Sequence, residues 1–114
     1  MVEYTNQREL TELFKSLSDP TRRSLITLLC QEGPCRVTDI AGHYDLSLNA
    51  ISKHLKVLEN AALVTRRTEG RDHWIEADLQ AVHALEAWLG ELRSIWALRL
   101  DRLATILNEE AQDE

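Results

Sequence analysis

Asn49, Lys53, Lys56 and Asn60 recur at intervals of three and four in the stretch LSLNAISKHLKVLENAALV, residues 46–64. On a helical wheel they share one side, with Ser52 at its edge, opposite a sector made of Leu48, Ile51, Leu55, Leu58 and Ala62. Just beyond, Arg66, Arg67 and Arg71 gather around Glu69 and Gly70. Ammonium and guanidinium groups set out this way can neutralise phosphates, and a carboxamide such as that of Asn49 can pair with adenine N6 and N7. The competing reading is the solvated face of a core helix, which is what a charge stripe on an isolated helix usually means. His54 lies at the edge of the apolar sector, where it can meet a phosphate or pack against the turn before the helix.

Net charge at first argues against a polyanion partner. The 114-residue chain carries a formal charge of −6. The charge is unevenly spread, however. Residues 15–71 hold nine Lys/Arg against six Asp/Glu, while the flanks hold four against thirteen. A basic middle with acidic ends can bind nucleic acid if the middle supplies the contact surface. The tight turn before residues 48–60 and the arginine hairpin after them decide for DNA over solvent.

These residues need elements to place them. Leu10, Leu13, Phe14 and Leu17 predict a helix over 6–17. Asp19 as cap, Pro20 at the first position and Gly33 as stop predict a second, with Leu25, Ile26, Leu28 and Leu29 making it central. A short helix fits 37–44, a turn follows at 45–47, and Ser47 caps a helix over about 48–60. Two helices so joined form a helix-turn-helix over 37–60. The period then alternates, which predicts a small two-stranded wing over 63–77. From Asp78 to about Asn108 a three-four spacing of Val82, Leu85, Leu89, Leu92, Trp96, Leu103 and Leu107 predicts one long helix, its stripe widened by Trp88, Ile95 and Leu100. The fold class expected is therefore mostly α with a small β-hairpin, in one domain over 1–114.

At 1.5 Å per residue that last helix spans roughly 45 Å, against a radius of gyration of about 13 Å for a compact domain of this size. An apolar stripe of that length needs a partner, and the simplest is a second copy. The interface expected comprises Leu10 and Leu13 from the first helix and Leu85, Trp88, Leu89, Leu92, Trp96 and Leu103 from the last.

The order helix, helix, helix-turn-helix, wing and long final helix resembles that of the small bacterial winged-helix repressors. FKSLSDPTRRSLITLL, SLNAISKHLKVLENAALV and the RRTEGR wing resemble the ArsR family along nearly the whole chain. The tail WLGELRSIWALRLDRLATIL is similar to the branch without a metal site, whose members are autorepressors encoded beside a partner protein. The resemblance implies a homodimer on a palindromic double-stranded DNA operator, with the fourth helix in the major groove and the wing on the backbone or minor groove. It implicates Ser47, Asn49, Ala50, Ser52, Lys53 and His54 on the helix and Arg66, Arg67 and Arg71 on the wing. Lys56 joins them by its place on the polar face. An effector or an operon-encoded partner protein is left open.

Other chemistries find little footing. Metal-sensing members of the family carry two cysteines where RVTDI places Arg36 and Thr38, neither of which can replace a thiolate. Asp78, His83 and Glu86 faintly echo a second type of site, with one histidine where four ligands are wanted. No metal or other cofactor is expected. Cys30 and Cys35 flank QEGP and raise a redox switch, against the simpler reading of a buried Cys30 and a Cys35 with only Arg36 to activate it. His43, His54, His73 and His83 have no metalloprotease spacing, and no glycine-rich phosphate loop occurs, so an enzyme is not expected. Trp74, Trp88 and Trp96 read as core or interface anchors. With no apolar run near 20 residues and no signal-peptide pattern, the location expected is cytoplasmic. Two function classes remain: a dimeric repressor, favoured by the basic residues on helix and wing, and a winged-helix protein-interaction module that has lost DNA binding.

Overall fold

The computed structural model describes residues 4–113. Its elements are α1 (Tyr4–Leu17), α2 (Pro20–Glu32), β1 (Cys35–Arg36), α3 (Val37–Tyr44), α4 (Leu48–Asn60), β2 (Val64–Glu69), β3 (Asp72–Ala77) and α5 (Val82–Asp113). The chain divides into two compact units, one up to Ala84 and one from Leu85.

The first unit is built on short-range rules visible in the residues. Asp19, in extended backbone, accepts the Arg22 N–H at 3.1 Å and so caps α2, with Pro20 at its first position. Gly33, at φ 80°, ends α2 and donates to the Leu29 carbonyl. Asp45, at φ 52°, turns the chain out of α3, and the Ser47 hydroxyl accepts the Ala50 N–H at 3.1 Å to start α4. At the far end of α4, Leu63 N–H reaches the Leu58 carbonyl and Ala62 N–H that of Glu59, while Ala62 takes φ 60°. This is the Schellman arrangement, with alanine where glycine usually sits.

The core lies where these helices meet the sheet. Leu25 and Leu29 of α2, Ile40 of α3, Ile51, Leu55 and Leu58 of α4, Leu63 and Ile75 are all essentially inaccessible. Leu10 and Leu13 of α1 join them at 4% and 1% exposure. They were expected at an interface with a second copy, but the single chain already buries them and leaves almost no area for a partner. Leu48 also departs from its expected apolar sector and stays half exposed. It is the first residue of α4, and it lines a cleft with Arg36 and Thr38 instead of entering the core.

Where a two-stranded hairpin was expected, the sheet has three antiparallel strands in the order β1-β3-β2. Arg36, Trp74 and Arg67 form one cross-strand row, and Cys35, Ile75 and Arg66 the next. β1 is two residues long, too short for any alternation to show. The last helix also differs from its expected bounds of 78–108. Asp78 accepts the Gln80 N–H at 3.0 Å, and Val82 and His83 donate to the Leu79 and Gln80 carbonyls. That turn delays α5 to Val82, and the helix then runs on to Asp113.

The second unit is the rest of α5. Leu85 and Trp88 are half-buried, and every residue from 91 to 112 is exposed. Ile95, Trp96 and Leu107 are each about two-thirds exposed. At 100° per residue, Val82, Leu85, Trp88, Leu89, Leu92, Ile95, Trp96, Leu100, Leu103 and Leu107 cover an arc of about 140°, with Leu98 outside it.

Candidate nucleic-acid interface

The α3–α4 pair presents a two-sided second helix. Ile51, Leu55 and Leu58 are fully buried, whereas Asn49, Lys53, Lys56 and Asn60 are exposed. Ser47 is exposed at the cap, and Ala50 and Ser52 are half-buried beside the polar face. The seven-residue spacing of buried positions 51, 55 and 58 sets the helix rotation, so the polar face is the one left outward.

His54 is drawn into the body of the unit. Its Nδ1 lies 3.3 Å from Arg22 Nη1 and 4.0 Å from Asp19 Oδ2. Arg22 in turn donates from Nε to the Ser16 carbonyl at 2.7 Å and from Nη2 to the Lys15 carbonyl at 3.0 Å. Arg23 donates to the Leu17 carbonyl at 2.6 Å. The two arginines thus satisfy the last carbonyls of α1, which helical geometry leaves without N–H partners. The backbone N–H of Arg22 holds the Asp19 carboxyl below its usual range, helped by His54 and Arg22 and opposed by burial. The SDPTRR segment is a joint between α1, α2 and α4, and sequence reading missed its arginines. Their signal was position: two cations one turn after a helix end.

The wing arginines divide. Arg66 donates from Nε and Nη2 to Glu59 Oε1 at 3.0 and 2.7 Å, which ties β2 to α4. Arg67 pairs with Glu69 at 2.9 Å and lies 5.9 Å from the centre of the Trp74 ring. Arg36 approaches the same ring at 6.0 Å and pairs with Asp39 at 3.0 Å, a contact that raises the guanidinium's own pKa. Trp74 is therefore held between two guanidiniums on the outer face of the sheet, its Nε1 buried without a hydrogen-bond partner. Arg71, at the exposed hairpin turn, has no ion pair among the described residues. A cleft of about 310 Å³ between α3, α4 and the wing is lined by Ser52, Arg66, Arg71 and His73, among others.

Among the described residues, no group of three His, Cys, Asp or Glu side chains is placed to hold a metal ion. Cys30 is exposed, not buried as the sequence led one to expect, and Cys35 is half-buried. Burial, with Glu32 and Asp39 adding to it, pushes the Cys35 thiol up and away from the reactive thiolate.

Residues 19–66 match the profile of the arsR family of bacterial regulatory proteins. Over 100 residues the chain is 32% identical to the HTH-type transcriptional regulator Rv2034 of Mycobacterium tuberculosis, covering 88% of this chain and 90% of that one. It is 37% identical over 62 residues to the transcriptional repressor SdpR of Bacillus subtilis, covering 54% of this chain and 68% of the relative. Its structure is similar to that of an ArsR-like transcriptional regulator from Rhodococcus sp. RHA1, with a TM-score of 0.82 at 26% identity over 95% of this chain and 98% of the other. These relatives are regulators of transcription and not enzymes. With the winged helix-turn-helix in place and a relative matched along nearly its whole length, the chain belongs to the ArsR family of DNA-binding bacterial regulators.

Proposed function

We propose that the protein is a homodimeric repressor that binds a palindromic operator upstream of its own operon. In this reading α4 enters the major groove, and the β2–β3 wing lies on the backbone or minor groove. The observation that carries it is the division of α4: three leucine and isoleucine side chains fully buried, and two lysines and two asparagines outward on the opposite face. A rigid helix so oriented meets base edges at fixed height. Asn49 and Lys53 read bases, assisted by Ser47, Ala50 and Ser52, while Lys56 and Arg71 neutralise phosphates.

The two-fold partner comes from α5. Leu89, Leu92, Trp96 and Leu103 are all exposed on its apolar arc, and Leu85 and Trp88 continue the same arc. A self-complementary dimer of helix-turn-helix units implies a palindromic site with half-sites about one helical turn apart. Repression of its own operon rests on the resemblance of the tail to autorepressors. Action on DNA places the protein in the cytoplasm, and no helix among the described residues is long and apolar enough to cross a membrane.

A gel-shift assay with the DNA immediately upstream of the protein's own gene tests the reading. A discrete retarded band that survives excess random DNA is expected. Equal competition by random DNA contradicts sequence-specific binding, and no band at all favours the protein-interaction module.

A further inference from the structure

We infer that Glu59 limits the strength and the salt dependence of DNA binding by withholding the Arg66 guanidinium from DNA phosphates; this rests on the DNA-binding reading above. Both Nε and Nη2 of Arg66 donate to one carboxylate oxygen, at 3.0 and 2.7 Å, and the side chains are only 30% and 22% exposed. Charge-assisted and partly shielded from water, this pair is the tightest on the wing. Register explains it. Arg66 stands opposite Ile75, on the sheet face that carries the core, so its stem starts toward α4 and meets Glu59 in the last turn of the helix.

Arg66 also lines the cleft of about 310 Å³ that Ser52, Arg71 and His73 share. A guanidinium released from Glu59 has that space to turn into, beside the polar face of α4. Non-specific affinity follows the number of phosphates a protein neutralises, and so does its salt dependence. Base reading does not depend on that number. An arginine neutralised within the protein therefore lowers binding to random and specific DNA alike while leaving the contacts of Asn49 and Lys53 in place. Because the phosphate part of binding is common to random and specific DNA, the ratio of the two affinities stays with the base contacts of α4.

The test is Glu59→Gln in the full-length protein, with fluorescence anisotropy on random DNA and on the upstream fragment over a range of salt. The expected result is a slope of log affinity against log salt steeper by about 1 to 2 units, from one added phosphate contact per protomer. Affinity for random DNA and for the upstream fragment should rise alike, by about threefold to tenfold. The double variant Glu59→Gln with Arg66→Gln should lose that gain, which assigns it to the released guanidinium and not to a missing carboxylate. Circular dichroism checks that each variant is folded, and Glu59→Asp, whose carboxylate is drawn back from Arg66, is a second route to the same release. An unchanged slope in folded Glu59→Gln, or the same steepening in the double variant, overturns the inference. Wild-type protein that binds neither DNA overturns the DNA-binding reading and this inference with it. Wild-type binding with an unchanged Glu59→Gln slope overturns this inference alone.

Discussion

Asp19 does more than cap a helix. Its carboxylate accepts the Arg22 N–H, lies 4.0 Å from His54 Nδ1 and sits beside the arginine that closes the end of α1. The Arg22 N–H first, then the charges of His54 and Arg22, hold its pKa below the usual range. A carboxyl depressed in the folded state contributes stability that is present above its unfolded pKa and lost as pH falls through the folded value. Asp19→Asn keeps the cap geometry and removes the charge. Its melting temperature should therefore lie below that of the wild type at about pH 5, with the gap closing as pH falls through the lowered folded-state pKa of Asp19. A gap that stays constant over this range would show that the charge does not act. His54 illustrates the ambiguity of a wheel-edge residue: its sequence position allowed a phosphate contact, and its ring faces Asp19 and Arg22. No periodicity could reveal that, because the partners come from a different helix.

At the ends of α4 the local rules are most open to test. Ala62 holds φ 60°, where a Cβ costs roughly 1–2 kcal/mol and glycine costs nothing sterically. Offset by the greater freedom of glycine in the unfolded chain, Ala62→Gly should stabilise the protein by about 0.5–1 kcal/mol in urea denaturation. Destabilisation would mean that the Ala62 methyl contributes more than the strain it brings. On the wing, Arg71 is the arginine left without an ion pair among the described residues, so Arg71→Ala should flatten the salt slope on random DNA by about 1–2 units. An unchanged slope would remove the hairpin tip from the interface. The helices were readable because capping residues and three-four periodicity mark them directly, as Asp19, Gly33 and Ser47 do. β1 was not, since pairing of two residues with β3 leaves no pattern in the chain. The pairing of Arg66 with Glu59 had a faint signal, because Val64 and Arg66 alternate onto one face, but its distance and partner needed the fold.

For the molecule as a whole, the acidic net charge and the basic middle are reconciled by where the cations sit. Lys53, Lys56 and Arg71 are exposed on α4 and the wing, while Arg22 and Arg23 are bound to α1 carbonyls, and Arg36, Arg66 and Arg67 to carboxylates. In the proposed reading, phosphate neutralisation thus falls to few residues, and specificity comes from the helix. In the proposed dimer the contact between copies is made by α5. Leu92→Glu puts a charge in its apolar arc, so the wild type should sediment as a dimer at micromolar concentration and the variant as monomer or aggregate. A monodisperse wild-type monomer would remove the two-fold basis for a palindromic operator. The central claim, that α4 reads sequence, is tested most directly by a salt titration of fluorescence anisotropy with wild type and Asn49→Ala on the upstream fragment and on random DNA. The variant should keep the wild-type salt slope and lose about 1–3 kcal/mol per base contact on the upstream fragment alone. Equal losses on both DNAs would contradict the account, because α4 would then be holding the backbone without reading it.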